Sequence, residues 1–485
     1  MTSESTVYPS MMTHSLPLPN DVLLLIGEQL ESHADRWNLT FVSRHFHDLF
    51  VSLLYRGVRL NSWRHAYSFL CATTQRPPLT RAVRELDLSG WQRELIPQED
   101  WHSLQSSPIL KDCVEASSFS PDETAQWNEH LAAGRGDAWV ALMLPLLSQL
   151  RQLHLIYCTH TICLNRIMQR AIDREGPFKS QSVFQHLRKV TLHHQEEVDH
   201  PAVHEDAGND SSQASSALLS SVFRLPSMRS LVANSVVDPT SDDLDFEEET
   251  GHSHSGLSSI TEIDLRHSSG NRGMEALIAS CQDLQSFKYQ HSDSHLASQG
   301  YIPTAFYRSL ARSKRTLQTL WLDHYGDHFA FTSAGLNQTH DEWFGSLADF
   351  SALREIRIRL PNLLDIRYQN EPTSPLINCL PGSLEILYIE GCEERHLGML
   401  VSQLRTVVKN RRSRFPRLRY LDIEGAFQTP SSDEIGDTRD PASSPADHTI
   451  KPKIMQAAEL LHEDCASAGL ELHVHDRAFC KDLHR

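Results

Sequence analysis

The sequence predicts an α/β chain: a small helical domain near the N-terminus, followed by an irregular solenoid of short parallel strands alternating with helices. Three observations predict it. A short apolar motif recurs along most of the chain. Helical patterns separate its copies. Residues 16–60, ahead of the copies, are dense in apolar side chains at helical spacing.

Bulk composition agrees with a repeat architecture. The 485 residues are too many for one compact core unless that core is built from repeats. A hydrophobic content of 40% against 22% charged residues lets most of the chain fold. The net charge of −17 opposes sequence-independent binding to nucleic-acid phosphates, although it leaves local basic patches open. The nine cysteines are odd in number and contain no CxxC, which fits a reducing compartment.

Residues 1–15 are polar and unpatterned, and read as a disordered tail. The stretch "LPNDVLLLIGEQL", Leu18 to Leu30, follows. It is no signal peptide: residues 1–20 hold no Lys or Arg, and the apolar run stops at Gly27. No other stretch approaches the ~20 apolar residues of a membrane span, so no membrane association is expected. The chain is read as cytoplasmic or nuclear. Asp21 is placed to cap a helix whose Val22, Leu23, Ile26 and Leu30 form one stripe. After the break at "ESHAD", a second helical pattern starts near Asp35 and carries Trp37, Leu39, Phe41, Val42, Phe46, Leu49, Phe50, Leu53 and Leu54. So short a segment cannot hide all of these, so part of them should face a neighbour or partner. The periodicity leaves open which of Val22 to Ile26 point each way.

Residues 61–80 read as a helical linker, and the repeats occupy 81–485. Their motif is apolar, two residues, apolar, one residue, apolar. It starts at Val83, Leu150, Leu187, Met228, Ile260, Leu284, Leu317, Leu353, Leu384 and Leu418, and "LELHVH" from Leu470 is a terminal copy. Most steps fall in the low thirties; the first, 67 residues, hides either a degenerate copy or an insertion. The last four residues of each copy read as a strand whose fourth and sixth motif positions share a face. Segments such as "GMEALIASCQDLQSF" and "HLGMLVSQLRTVVKNRR" supply helices between them. A strand and a helix with one apolar face each cannot bury themselves alone, whereas stacked copies bury a continuous core.

Two stretches look unable to pack. Residues 205–256, interrupted by a short helical piece, include "DPTSDDLDFEEETGHSHSG" with seven acidic residues; residues 428–453 are rich in Ser, Asp and Pro. Both read as mobile insertions.

Enzyme and metal signatures are missing. The sequence has no GxSxG, no GxxxxGK[ST], no GxGxxG after a strand and no HExxH. The 28 histidines include His193-His194, His200, His204, His252, His254, His473 and His475, but none sits beside a Cys pair. They read as solvated surface histidines, with no metal and no cofactor. The segment Arg405–Arg419 holds seven basic residues and reads as the solvated end of a helix, the alternative being an import signal or acidic-partner patch.

Two resemblances follow. Leu150-x-x-Leu153-x-Leu155-x-x-Cys158 and Leu384-x-x-Leu387-x-Ile389-x-x-Cys392 resemble the leucine-rich repeat, which carries Asn or Cys at the last position; Trp91, Ser268, Ser292, Tyr325 and Ala426 depart from it. Residues 16–60 resemble the F-box: Leu18-Pro19-Asn20-Asp21, Ile26, Leu30, Asp35, Leu39, Val42-Ser43-Arg44 and Phe46 match in order and spacing. Here the loop after Leu30 is one residue longer, and Arg36, Ser43 and Phe46 replace the usual Leu, Cys and Trp.

The F-box resemblance implies docking on a Skp-type adaptor and, through it, on cullin and RING subunits of a ubiquitin ligase. By position, Leu18, Pro19, Val22, Ile26, Leu30, Leu39, Val42 and Phe46 would form or support that surface. F-box and repeats together resemble a ligase substrate receptor, similar to F-box proteins of filamentous fungi, with an unknown target protein on the repeats. Such a subunit holds no catalytic residue. The alternative is a non-ligase leucine-rich-repeat scaffold.

Overall fold

A computed structural model describes the chain apart from residues 1–17, 195–217, 239–257, 325–341, 428–449 and 477–485 and the short stretches 31, 93, 158–160, 180–183, 292–300, 367–370 and 426. The expected tail, most of the expected insertions and Cys158 therefore lie outside the described residues.

The motif copies become strands of one parallel sheet in strict sequence order. These are β1 (Gly57–Arg59), β2 (Glu85–Asp87), β3 (Gln152–Tyr157), β4 (Lys189–His194), β5 (Ser230–Asn234) and β6 (Glu262–Ser268), followed by β7 (Ser286–His291), β8 (Thr319–His324), β9 (Glu355–Arg359), β10 (Ile386–Cys392), β11 (Tyr420–Gly425) and β12 (Glu471–Asp476). All eleven copies read from the sequence, the terminal one included, are strands β2 to β12. Strand β1 is new. "GVR" is too short to show a two-residue period, and it lies inside the stretch read as wholly helical.

Register explains the motif. Leu153, Val190, Leu231, Ile263, Phe287 and Leu320 stand in one row across β3 to β8, all buried. Alternate side chains point to the opposite, open face, as a two-residue period demands. The buried row packs with the helices between strands into one core running from Leu60 to Leu470. At the edge where strands begin, one carbonyl serves each rung. Arg84 O accepts from Arg151 N (2.7 Å) and Gln152 N (3.0 Å), and Arg151 O accepts from Arg188 N (2.8 Å) and Lys189 N (3.1 Å). Paired donors on one acceptor leave no backbone amide of that edge unsatisfied.

The 67-residue step hides no strand, since β2 pairs directly with β3 in register. It holds an insertion of four helices, Gln98–Ser106, Pro108–Ser117, Pro121–Ala132 and Gly136–Met143. Its Trp127 and Trp139 are fully buried, so the insertion is part of the core. A second difference concerns residues 205–256. Within them a helical turn buries Leu218, Leu219, Val222 and Phe223, and strand β5 buries Leu231 and Ala233. That stretch is therefore not one insertion: its centre is a complete repeat. Likewise Pro452 and Lys453 already belong to the helix Pro452–Ala468.

Cys392, the last residue of β10, is buried with its Sγ donating to Glu393 O at 3.7 Å. Gly391 before it adopts φ +62°, a conformation L side chains rarely take.

Candidate protein-interaction site

The N-terminal domain comprises α1 (Asn20–Glu28), α2 (His33–Leu39) and α3 (Arg44–Leu54). Helix α1 starts after Pro19, whose carbonyl accepts from Val22 N and Leu23 N, both at 3.1 Å. Asp21 is therefore not the cap. It lies in the first turn, where its charge suits the helix dipole. The second helical pattern is two helices. Ser43 divides them by capping α3, its Oγ accepting from Phe46 N at 3.1 Å. A hydroxyl does this well, which accounts physically for Ser at that position. Arg36 also has a role that a Leu could not fill: its Nε donates to Leu30 O at 2.8 Å, closing the C-terminal end of α1 onto α2.

The domain has a small core of its own. Leu23 of α1 meets Phe50 and Leu53 of α3, with Leu24, Leu39, Phe46 and Leu49 packed around them. Seven other apolar side chains point out: Leu18, Val22, Leu25, Ile26, Trp37, Phe41 and Val42 are all exposed, with Leu25 at 60%, Phe41 at 70% and Val42 at 64%. Trp37 and Phe41 stack edge-on at 5.2 Å.

The positions expected from sequence thus divide. Leu18, Pro19, Val22, Ile26 and Val42 are exposed, and Leu30 is half-buried. Leu39 and Phe46 are half-buried and pack against the small core, Phe46 lying 5.2 Å from the Phe50 ring. Leu25, Trp37 and Phe41 are exposed as well, outside the positions that the F-box resemblance names. Their signal was the spacing of Leu25 three residues after Val22 and of Phe41 four after Trp37.

The open face of the sheet carries a second constellation, from β7 to β12. Lys288 Nζ lies 3.6 Å over the Trp321 ring, and Arg357 lies 5.4 Å from Trp321 and 4.5 Å from Tyr388. Trp321 Nε1 donates to Glu355 Oε1 at 2.9 Å. Arg357 forms a buried ion pair with Glu390. Tyr388 Oη donates to Glu424 Oε2 at 3.2 Å and lies 2.8 Å from His475 Nε2, while His475 Nδ1 faces Asp422 Oδ1 at 3.0 Å. Tyr420 Oη donates to Asp422 Oδ2 at 2.8 Å and its ring stacks on His473 at 5.2 Å. His475 is accordingly no solvated surface histidine. Strand register brings these residues together from six repeats, so no local stretch of sequence announces them.

One group has metal-ligand types. His130, Asp137 and Cys163 bring their ligand atoms within 4.8 Å of one another. Their bonds are spoken for: Asp137 Oδ2 accepts from Cys163 N at 3.1 Å, and His130 Nδ1 lies 3.2 Å from Cys163 Sγ. Burial raises the Asp137 carboxyl to about 6 and pushes the Cys163 thiol well above its usual range. A structural zinc site wants four donors and a thiolate. The trio instead ties the helical insertion to the start of the helix Ile162–Asp173.

The basic run Arg405–Arg419 is largely engaged in structure. Arg405 pairs with Asp464 at 2.6 Å, Arg411 donates to Leu418 O at 2.6 Å and Ala468 O at 3.0 Å, and Arg414 donates to Asn378 Oδ1 at 3.0 Å. Every cysteine among the described residues is free, and no helix among them is long and apolar enough to cross a membrane.

A solenoid of this kind, with one parallel sheet presenting a long open face, is the architecture of repeat proteins that bind other proteins. A family model for a leucine-rich repeat domain matches residues 65–426, and the chain belongs to that family. Helices α1–α3 lie ahead of the matched region. No curated protein matches the sequence.

Proposed function

We propose that this leucine-rich-repeat protein is a substrate receptor of a cullin–RING ubiquitin ligase. In this reading α1–α3 are an F-box that docks a Skp-type adaptor, and the repeats hold the target protein, in the cytoplasm or nucleus. The observation that carries the reading is the outward apolar surface of Leu18, Val22, Leu25, Ile26, Trp37, Phe41 and Val42 beside so small a core. So many large exposed apolar side chains on one small domain mark a candidate interaction site. Its position agrees with the Leu-Pro turn and helix faces that F-box resemblance implies.

The mechanism is positional. One end of the chain holds the ligase arm and the other the target, which raises the effective concentration of a target lysine near ubiquitin carried by another enzyme. The chain supplies no reacting group. Co-purification with a Skp-type adaptor tests the reading, with Leu18→Ala/Pro19→Ala as the control. Retained adaptor binding in that variant with an unchanged circular dichroism spectrum overturns the assignment. Adaptor binding without ubiquitination of any bound protein would instead leave a scaffold.

A further inference from the structure

The residue just before each strand occupies the same rung of the edge ladder, because its carbonyl accepts from the next repeat. In the first five rungs that residue is always arginine: Arg56, Arg84, Arg151, Arg188 and Arg229. Adjacent parallel strands lie about 4.8 Å apart, so the five stand in a line of roughly 19 Å. The chain as a whole is acidic, at −17, so this row is not a reflection of composition.

The rest of the same edge is built differently. The next three rungs hold Thr261, Gln285 and Gln318. Then Arg354 and Arg419 flank Glu385, at 3.8 Å and 3.9 Å, and share its carboxylate as a counterion. Among the described residues, only Arg56 of the first five has a carboxylate partner, Glu28 of α1 at 3.2 Å. Arg84 donates to Gln149, and Arg229 to Ser259 O at 2.8 Å. The exposed Arg151 and Arg188 have no side-chain partner among the described residues. Burial lowers the Arg84 pKa, and Arg151 and Arg56 beside it lower it further, as expected of stacked like charges. Holding such charges side by side without counterions is unfavourable unless an anion completes the row.

We propose that this arginine row is a binding site for an anionic peptide, phosphorylated or acidic, in extended conformation. It rests on the reading of the repeats as target-binding and names the class of target segment recognised. Seven extended residues span about 23 Å and so reach all five rungs. Guanidinium groups bind phosphate and carboxylate in a planar fork. A nucleic-acid strand fits less well. Single strands are held by bases stacking on aromatic rings, and the neighbouring strand positions are Gly57, Glu85, Gln152, Lys189 and Ser230, none aromatic.

The test is fluorescence anisotropy on the full chain with a labelled heptapeptide alternating glycine with three phosphoserines. Unphosphorylated serine, glutamate and oligouridine versions serve as comparators. The phosphoserine peptide should bind at least tenfold more tightly than the serine peptide and weaken with salt. Arg151→Gln/Arg188→Gln should lose at least tenfold, while Arg354→Gln/Arg419→Gln keeps full affinity. Equal binding of the glutamate peptide supports the site with carboxylates as the anion. Absent peptide binding, an unaffected Arg151/Arg188 variant, an equally weakened Arg354/Arg419 variant or tighter oligouridine binding overturns it. Adaptor binding by the same variants reads α1–α3 separately, so failure of either reading is distinguishable.

Discussion

Gly27 of α1 lies directly against the ring of Phe50 in α3: a Cβ at residue 27 would stand 2.6 Å from Phe50 Cε1 and 2.9 Å from Leu53 Cδ1. Two helices can approach this closely only where one lacks a side chain. The contact sets the angle at which the outward face of α1 is presented, because Leu23 beside it is the buried anchor and Val22, Leu25 and Ile26 are carried to the other side.

Gly27→Leu should therefore overpack the domain core, at a cost of about 1–3 kcal/mol. Thermal unfolding followed by circular dichroism measures it. An unchanged unfolding transition, or a fully retained α1–α3 surface in hydrogen exchange, contradicts the close approach.

Outward and inward residues of α1 should separate in assay. Val22→Ala/Ile26→Ala removes apolar area from the exposed face, and under the proposed F-box reading losing two such anchors should weaken adaptor binding by about 2–3 kcal/mol, roughly thirty- to more than a hundredfold, with stability unchanged. Leu23→Ala empties the small core and should destabilise the domain by about 2–5 kcal/mol. Equal loss of stability in both variants would show that Val22 and Ile26 are core residues after all.

Asp137 makes the stability of the insertion depend on pH. Its native pKa of about 6, raised first by burial, lies above the ordinary 3.8. The unfolded chain therefore gives up this proton more readily than the native one, and the native state loses stability as pH rises through that interval. Asn at this position cannot titrate. The stability of Asp137→Asn relative to wild type should thus shift in the variant's favour by about 2–3 kcal/mol between pH 4 and pH 7. Urea unfolding at both pH values gives the difference; no shift, or one of opposite sign, is the contrary result.

Arg357 and Glu390 are both buried on the open face of the sheet. Glu390→Ala alone strands a guanidinium in a dry site and should cost about 3–5 kcal/mol, whereas Arg357→Met/Glu390→Leu should cost much less, because neither charge remains. A double-mutant cycle in urea measures the coupling. Additive losses would place both groups in contact with solvent.

Much of this architecture was legible because repeats advertise themselves. Leu153, Val190 and Leu231 each need a neighbour on both sides, so the same apolar spacing had to recur, and the copies could be counted. The 67-residue gap before Leu150 was visible too, but not its content. Trp127 and Trp139 look like ordinary helical residues until the four helices close over them. Strand β1 had no pattern to show: it is three residues long, pairs with β2 and sets only Val58 against the core.

At the candidate docking surface the sequence showed which residues were apolar and that their number exceeded what so small a domain can bury. It could not divide Val22 from Leu23 or Phe41 from Phe46, since both sets follow helical spacing. That division belongs to the crossing of α1 over α3 at Gly27. The same holds for the open face and the arginine row. Local periodicity determined that strands and helices alternate, because burial of one face per element is a short-range demand. Only the parallel register, which sets Arg151 beside Arg84 and Arg188, Tyr388 near His475, and Arg357 against Glu390 across repeats 30 or more residues apart, decided which polar side chains share a surface.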